Sequence, residues 1–242
     1  MMESSWTVER VASASSTMDL AKAKARGGAP DRWAVVAETM TGGRGTQGRS
    51  WHAPPGGLYT SFILRGLDDP RLLTLALGNA VADVLEVAGV EPRLKWVNDV
   101  WVGGKKVAGI LVEMESTGDR IDFAVCGIGV NLNGEAAAFP ADLRGKATTL
   151  EEELGCDVCV PDLEGFLWQS IDRWLGWLKE NPQRVLEKFR ERDALMGRRV
   201  AAGVGGKRVE GIAAGIDEKG RLLLKVDART ELVQGGTVEV LG

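Results

Sequence analysis

A glycine-rich segment holds the first residues in this sequence whose types and spacing could do chemistry. Between Thr41 and Trp51 the chain carries four glycines, two arginines and one tryptophan. Glycines let backbone N–H groups approach a phosphate or carboxylate closely, and arginines donate paired hydrogen bonds to the same oxygens. The spacing differs from the G-x-x-x-x-G-K-[ST] of a P-loop. Composition alone favours a solvated surface loop as much as an anion-binding loop, and Trp51, which can lie against a ligand ring, favours binding.

A lysine in an apolar hairpin is the second candidate. The segment from Lys95 to Glu113 predicts extended chain on both sides of a tight turn at Gly103–Gly104. Lys106 stands shortly before Gly109 in the strand that follows the turn. A lysine there is costly unless it meets an anion or points out of the sheet, and exposure at a sheet edge is the common alternative. The pattern therefore indicates an anion-binding lysine without requiring one.

The spacing of apolar residues predicts the elements that must position these two segments. Strands are predicted at Trp6–Val11, Trp33–Ala37, Leu58–Leu64, Arg93–Trp96, Val100–Val102, Lys106–Glu113 and Ile121–Val130. Helices are predicted from Ser16–Thr17 to Gly27, over Pro70–Ala88, over Phe166–Leu178 and from Pro182 towards Leu195. The glycine-rich segment is then a long loop between two buried strands. The predicted class is α+β with a mostly antiparallel sheet.

The residue pattern changes near the end of the chain. From Arg198 onward, short strands are broken by glycine turns, which predicts a small β-barrel. A boundary near Gly197 divides the chain into residues 1–196, large enough for a catalytic domain, and residues 197–242.

Composition excludes several classes of function. With 242 residues, 44% of them hydrophobic, the chain can bury a sizeable core, and its net charge of −4 gives no global positive field for nucleic acid. Apolar runs are far shorter than the roughly 20 residues needed to cross a bilayer. The first six residues lack a basic start and an apolar signal core, so a cytoplasmic protein is expected.

Histidine and cysteine are too scarce for much of metal and triad chemistry. His52 is the single histidine, and Cys156 and Cys159 form a lone C-x-x-C with no second pair to complete a zinc pattern. The remaining chemistry belongs to lysine, arginine, aspartate and asparagine.

Two separated motifs resemble the biotin protein ligase family. They are G-R-G-x-x-G-R-x-W at residues 43–51, and K-W-x-N-D at residues 95–99 followed by K-K-V-A-G-I-L-V-E at residues 105–113. A G-x-G-x-N segment at residues 127–131 and the terminal barrel are also similar to that family. The resemblance implies a catalytic domain of the class II aminoacyl-tRNA-synthetase type and a C-terminal SH3-like barrel.

The resemblance also implies a reaction. Biotin and ATP, with Mg²⁺, give biotinyl-5′-AMP and pyrophosphate, and the acyl group then passes to a lysine of a biotin carboxyl carrier domain in a biotin-dependent carboxylase. Lys106 and Arg44 are the implied catalytic residues, and Asp99 would bind Mg²⁺ or order the loop. The implied biotin-binding residues are Ser16, Thr17, Met18, Met40, Gly43, Arg44, Gly45, Thr46, Lys106 and Gly109. The implied nucleotide-binding residues are Arg49, Trp51, Asn98, Asp99 and Asn131.

Three residues depart from the family pattern. The family usually has asparagine at Met18, glutamine at Met40 and arginine at Thr46. Without that arginine, the adenylate is expected to escape faster than in relatives, unless Arg44 or Arg49 compensates. The methionines leave open a lipoate or octanoate ligase of the same fold, and the three departures together leave open a biotin-binding protein without catalysis.

Some relatives in the family also repress biotin genes through an N-terminal helix-turn-helix. Here the resemblance begins with the strand predicted at Trp6–Val11, so repression is not expected. Relatives often pair through the catalytic sheet, and the sequence leaves a homodimer open.

Overall fold

Eight strands between Thr7 and Val130 form one mixed sheet. A computed structural model describes residues 6–204 and 206–241. The strands are β1 (Thr7–Ala14), β2 (Trp33–Arg44), β3 (Ser50–Ala53), β4 (Leu58–Leu64), β5 (Arg93–Lys95), β6 (Asp99–Val102), β7 (Lys105–Thr117) and β8 (Arg120–Val130). Their order is β1-β2-β4-β8-β7-β6-β5, with β3 paired to β2. Only the β1–β2 pair is parallel within the described residues, which confirms the predicted α+β class with a mostly antiparallel sheet.

Helices cover the two faces of this sheet unequally. They are α1 (Thr17–Arg26), α2 (Leu73–Val87), α3 (Leu150–Leu154), α4 (Val160–Glu180) and α5 (Pro182–Glu191). Side chains of α2, α4 and α5 join the larger apolar cluster on one face, together with Phe62 and Ile128. Met18 and Ala21 of α1 pack on the opposite face against Ile63 and Val125. A single short helix covers only part of that second face, so the rest of it is available for a cavity. None of the described helices is long and apolar enough to cross a membrane.

The end of the chain forms a second, five-stranded sheet. Its strands are β9 (Arg199–Val204), β10 (Lys207–Ile216), β11 (Leu222–Val226), β12 (Arg229–Val233) and β13 (Val238–Val240), all antiparallel. The order β12-β11-β10-β9-β13 does not close by hydrogen bonds within the described residues. This agrees with the predicted SH3-like barrel in strand number and pairing, although the sheet is open.

The second sheet packs directly on the first. Val200 and Leu224 belong to the same apolar cluster as α2. Trp96 Nε1 donates a hydrogen bond to the carbonyl oxygen of Gly220 at 2.8 Å. Gly220 has φ +73°, and a Cβ there would lie 2.7 Å from Leu72 Cδ2. The turn at Gly220 therefore fits against the main sheet only as glycine.

Several predicted boundaries differ from the structure. The glycine-rich segment is not a long irregular loop, because β2 continues to Arg44, a one-turn 3-10 helix spans Thr46–Gly48, and β3 follows. The last helix ends at Glu191 instead of continuing towards Leu195. The first five residues, on which the cytoplasmic expectation rests, lie outside the described residues. The division after residue 196 stays a prediction.

A buried arginine provides a prediction about stability. Arg192 is 4% exposed and bonds Asn79, Asp83 and Glu86. Burial raises the pKa of Asp83, but Arg192 and the Trp174 N–H outweigh it and hold that pKa below its ordinary value. We expect Arg192→Met to reduce the free energy of unfolding at pH 7 by about 3–5 kcal/mol, since it leaves a buried carboxylate uncompensated.

The pH dependence follows from the direction of that pKa shift. A depressed pKa in the folded state stabilises the fold above the unfolded pKa, and this stabilisation is lost as pH falls below it. The Arg192→Met effect should therefore shrink below about pH 4 in chemical denaturation. Arg173→Met is the control, because Arg173 is mostly exposed and its bond to Asp83 contributes about 1 kcal/mol or less. Equal losses for both variants would contradict the prediction.

Candidate active site

A cavity of about 210 Å³ opens on the sheet face that α1 covers only in part. Nearly all the site residues predicted from the sequence line it, Gly43 being the exception. Its further lining, which the sequence reasoning did not assign, is Ser50, His52, Thr60, Ser61, Ile110, Leu111, Gly127, Ile128, Gly129, Phe139, Leu143 and Ala147. Segments far apart in the chain thus meet at one place.

Lys106 reaches this cavity because of an irregularity in β7. The register pairs Val100 with Ala108 but Trp101 with Lys106, so Val107 is an extra residue in the strand. Residues three apart point to opposite faces of a regular strand. With the bulge, Lys106 Nζ comes within 3.1 Å of the Cβ position at Gly109. A β-bulge redirects a side chain in this way, and here it aims the lysine into the cavity.

Asp99 holds Lys106 from β6. Its Oδ1 lies 2.5 Å from Lys106 Nζ, and its Oδ2 accepts a hydrogen bond from Lys95 Nζ at 3.3 Å. Burial raises the pKa of Asp99, but the two lysines outweigh it and keep that pKa below its ordinary value. The carboxylate is therefore ionised at neutral pH and orders Lys106.

The two asparagines predicted to bind a nucleotide hold backbone. Asn98 Nδ2 donates to the carbonyl of Ile110 at 2.8 Å, and Ile110 N–H donates back to the Asn98 carbonyl at 2.9 Å. Asn131 Nδ2 donates to the carbonyl of Thr148 at 3.1 Å. Both residues line the cavity, and their side-chain N–H groups donate hydrogen bonds to backbone carbonyls of its walls. Their predicted contact with a nucleotide stays a prediction.

Three glycines make the floor of the cavity flat. Gly109 and Gly129 are paired across β7 and β8, and the ring of Trp51 lies over both. A Cβ at Gly129 would be 2.5 Å from Trp51 Cε2. A Cβ at Gly127 would be 2.6 Å from Met18 Sδ. Glycines inside a strand mark places where another group approaches closely, and this signal could have assigned Gly127 and Gly129 from the sequence.

One end of the cavity carries hydroxyl groups and methionines. Ser61 Oγ donates to Thr17 Oγ1 at 2.8 Å, and Thr17 Oγ1 lies 3.5 Å from Met40 Sδ. Ser16 Oγ is buried and has no hydrogen-bond partner among the described residues. We call this set of Ser16, Thr17, Met18, Met40 and Ser61 the hydroxyl end. It can recognise a small polar group that both donates and accepts hydrogen bonds, and its thioethers add apolar surface.

Two arginines also line the cavity. Arg44 contacts Asp19 at 2.8 Å and Glu113 at 3.4 Å, while its Nε is buried without a partner among the described residues. Arg49 Nη2 donates to Thr46 Oγ1 at 2.7 Å. The hydroxyl of Thr46 therefore holds the Arg49 side chain at the cavity wall.

The one-turn 3-10 helix of the glycine-rich segment contacts the second sheet. Gln47 has φ 59°, and its Oε1 accepts a hydrogen bond from Thr237 Oγ1 at 2.7 Å. This contact joins the cavity wall to residues nearly at the end of the chain. No pattern in the sequence predicts it.

The donor groups do not form a metal cage. No group of three or more His, Cys, Asp or Glu side chains in the described part of the chain could hold a metal ion. Both oxygens of Asp99 face lysines. The residues present therefore fit Mg²⁺ only if other ligands, such as phosphate oxygens, supply most of its coordination.

The geometry defines a chemical class of site. A cation, Lys106, lines one cavity together with residues that suit a small polar group and with two arginines. Such an arrangement can bind an acid by its far end and bring its carboxylate to a phosphate. This is the arrangement that acyl activation by a nucleotide requires.

Comparison with protein-family models agrees with this class. Residues 11–131 match the biotin/lipoate A/B protein ligase family, and residues 195–241 match the biotin protein ligase C-terminal domain. The chain belongs to the biotin/lipoate A/B protein ligase family.

Individual relatives are similar over most of the chain. The biotin–[acetyl-CoA-carboxylase] ligase of Mycobacterium tuberculosis is 36% identical over 93% of this chain and 85% of its own. The bifunctional ligase/repressor BirA of Bacillus subtilis is 31% identical over 93% of this chain and 71% of its own. The biotin protein ligase from Aquifex aeolicus, solved in complex with biotin and ATP, has a TM-score of 0.85 at 28% identity, covering 97% of this chain and 98% of its own.

Proposed function

We propose that this protein joins biotin to a lysine of a biotin carboxyl carrier domain at the expense of ATP. One observation carries the proposal: the bulge in β7 places Lys106 in the cavity that the hydroxyl end, Arg44 and Arg49 also line. The similarity to enzymes named as biotin ligases supports the same reaction. Biotin is the acid that fits a site with a polar far end, since its ureido group both donates and accepts hydrogen bonds.

The first step forms an acyl phosphate anhydride. A carboxylate oxygen of biotin attacks the α-phosphorus of ATP, the bond to the β-phosphate breaks, and biotinyl-5′-AMP and pyrophosphate result. Negative charge gathers where the carboxylate meets the α-phosphate, and Lys106 Nζ compensates it there. Ser16 and Thr17 hold the ureido group, and the Trp51 ring lies beside the nucleotide.

The second step transfers the acyl group. The neutral amine of the acceptor lysine attacks the acyl carbon, an amide bond forms, AMP leaves, and the amine loses one proton. Lys106 again offsets charge on the oxygens of the acyl phosphate. The acceptor must approach over the mouth of the cavity, because its side chain has to meet the same carboxyl carbon.

We propose that Mg²⁺ enters with the phosphates of ATP. Mg²⁺ neutralises phosphate charge when it is bound. The contacts of Asp99 with Lys106 and Lys95 support the ordering role for this aspartate over a role as metal ligand. Arg44 and Arg49 supply further positive charge beside the nucleotide.

A second acyl substrate is favoured by a specific observation. At the hydroxyl end, Met18 packs on Gly127 and Met40 lies against Thr17, so no amide side chain is present there among the lining residues. Loss of such a donor weakens discrimination against acids without a ureido group. Lipoate or octanoate is therefore the alternative substrate, and a biotin-binding protein without catalysis is the alternative of a different class.

Mass spectrometry of a biotin carrier domain incubated with the protein, Mg-ATP and either biotin or lipoate tests the proposal. A mass gain that depends on both biotin and ATP is expected. A gain only with lipoate would move the chain to the alternative acyl ligase. Binding of biotin in calorimetry without any mass gain or pyrophosphate release would favour the protein without catalysis.

Release of the adenylate gives a further prediction. Thr46→Arg removes the hydroxyl that accepts a hydrogen bond from Arg49, but it adds a second cation beside Arg49. A charge-assisted hydrogen bond from that cation to the adenylate phosphate would be strong. We expect biotinyl-5′-AMP to leave the Thr46→Arg variant roughly tenfold more slowly than the native chain in stopped-flow measurements. Thr46→Lys, a cation without the forked geometry, should have a smaller effect. A native release rate no faster than that of Thr46→Arg would contradict the expectation of faster escape.

The remaining expectations are proposals of lower detail. A boundary after residue 196, a cytoplasmic location and pairing into a homodimer belong with the proposed function. Sedimentation of the protein with and without biotin would test the last of these.

A further inference from the structure

We propose that Lys95 is a positioning residue that balances the charge of Asp99 and so leaves the charge of Lys106 available to the substrate. This inference rests on the proposed function. Lys95 does not line the cavity, and its side chain is 14% exposed, so it acts through Asp99 and not by touching the ligand.

The strand register puts these groups together. Lys95 and Asp99 are direct partners across the β5–β6 pair, and Asp99 is the partner of Gly109 across the β6–β7 pair. Each lysine takes a different oxygen of the carboxylate, Lys106 at 2.5 Å from Oδ1 and Lys95 at 3.3 Å from Oδ2. Both lysines therefore contact Asp99 at once and do not compete for one oxygen.

A count of charges shows why two lysines are needed. Asp99 with Lys106 alone is a neutral pair, and a substrate anion placed beside it would make the group negative in a partly buried site. With Lys95 the group carries one positive charge, and the substrate anion makes it neutral. Charge imbalance in such surroundings is costly because the effective dielectric constant is low.

The same arrangement lets Lys106 move. The side chain of Asp99 is 14% exposed, so leaving its carboxylate without a partner would carry a desolvation penalty. While Lys106 turns towards a carboxylate or phosphate, Lys95 stays on Oδ2 and keeps Asp99 paired. Lys106 can then bind the substrate anion while the buried carboxylate of Asp99 keeps its ion pair with Lys95.

Lys95 has a structural contact that must be separated from this role. Its ammonium group lies 5.4 Å from the centroid of the Trp101 ring. Methionine keeps most of the apolar stem and removes the charge, whereas arginine keeps the charge and the contact with the ring. Lys95→Met and Lys95→Arg are therefore the informative pair of variants.

The test measures biotin-dependent pyrophosphate release. Lys95→Met is expected to lose roughly tenfold or more in kcat/KM, and Lys95→Arg to keep most of it. In the double variant Lys95→Met with Asp99→Asn, the carboxylate no longer holds Lys106, so activity should recover severalfold over Lys95→Met alone. Lys105→Met is the control, because Lys105 is half-exposed and its contact, Glu152, is 3.9 Å away on another element.

The double variant decides between the two roles. A residue needed only for folding would give a double variant as poor as Lys95→Met or worse, with lower melting temperatures. Activity of Lys95→Met equal to that of the native chain, or a double variant that does not recover, would overturn the proposal.

A readout that needs no turnover keeps this test separate from the proposed function. Acetylation of Lys106 by a sulfo-succinimidyl acetate, followed by mass spectrometry, should be severalfold slower in Lys95→Met and should return in the double variant. Acetylation of Lys105 in the same samples is the internal standard. If the native chain shows no biotin-dependent turnover, the proposed function fails, and unchanged acetylation of Lys106 in Lys95→Met would then overturn the charge balance as well.

Discussion

Replacing Lys106 by methionine should lower the rate of biotinyl-5′-AMP formation by about a hundredfold to a thousandfold. Lys106 is the cation that the bulge in β7 aims into the cavity. Methionine matches the length of the stem and contacts Trp51 in its place, so the loss is one of charge at the developing anion. Pyrophosphate release at saturating biotin and ATP measures this loss in kcat.

Two comparisons separate charge from structure for this variant. Lys105→Met removes the neighbouring lysine, which does not line the cavity, and should keep native activity. Lys106→Arg keeps a cation but changes its shape, so a partial recovery is expected. Native turnover in Lys106→Met, in a protein with a native melting temperature, would remove Lys106 from the mechanism.

Gly129→Ala should reduce kcat/KM for biotin by roughly a hundredfold, because the cavity floor can no longer carry the Trp51 ring. The new Cβ would lie 2.5 Å from Trp51 Cε2 and 2.8 Å from its Nε1, distances at which the ring must move. Trp51 lies in β3, which pairs with β2 at Gly43, so displacing the ring also displaces the segment that carries the arginines. Calorimetry with biotin and the pyrophosphate assay measure binding and turnover separately.

Matched glycine substitutions control for the added methyl group. A Cβ at Gly176 in α4 meets nothing within 4 Å, so Gly176→Ala should leave activity and stability near native values. Adding Gly129→Ala to a Trp51→Ala variant should change little, since the ring that clashes is gone. If the two changes instead reduce activity additively, the contact between ring and strand is not the reason for the loss.

Much of the fold followed from local patterns. Buried strands such as Leu58–Leu64 and the helix within Pro70–Ala88 are continuous in apolar residues at one period, and both are present with boundaries within a few residues. β3 was missed because Ser50–Ala53 is short and its pairing with β2 depends on contacts that no local pattern shows. The segment between Asn131 and the helix predicted at Phe166, which includes α3, has little apolar periodicity, so the sequence predicts no element there.

The chemistry-bearing residues of the site were predictable, but its geometry was not. Nearly all the residues that spacing and family resemblance indicate line the cavity, whereas about half of its lining was not assigned from the sequence. The extra residue at Val107, which turns Lys106 into the cavity, depends on how β7 pairs with β6. The lysine partners of Asp99 also depend on register, so the sequence alone does not predict them.

The joint at Gly220 limits how this protein can be recombined. The carbonyl oxygen of Gly220 accepts a hydrogen bond from the Trp96 side-chain N–H. The turn packs against Leu72 and Leu75 and leaves no room for a side chain at Gly220. A chimaera that joins the C-terminal sheet of a relative to the eight-stranded sheet of this protein must therefore have a glycine with positive φ at that turn. Because one apolar cluster runs through both sheets, heat should melt them in a single cooperative transition.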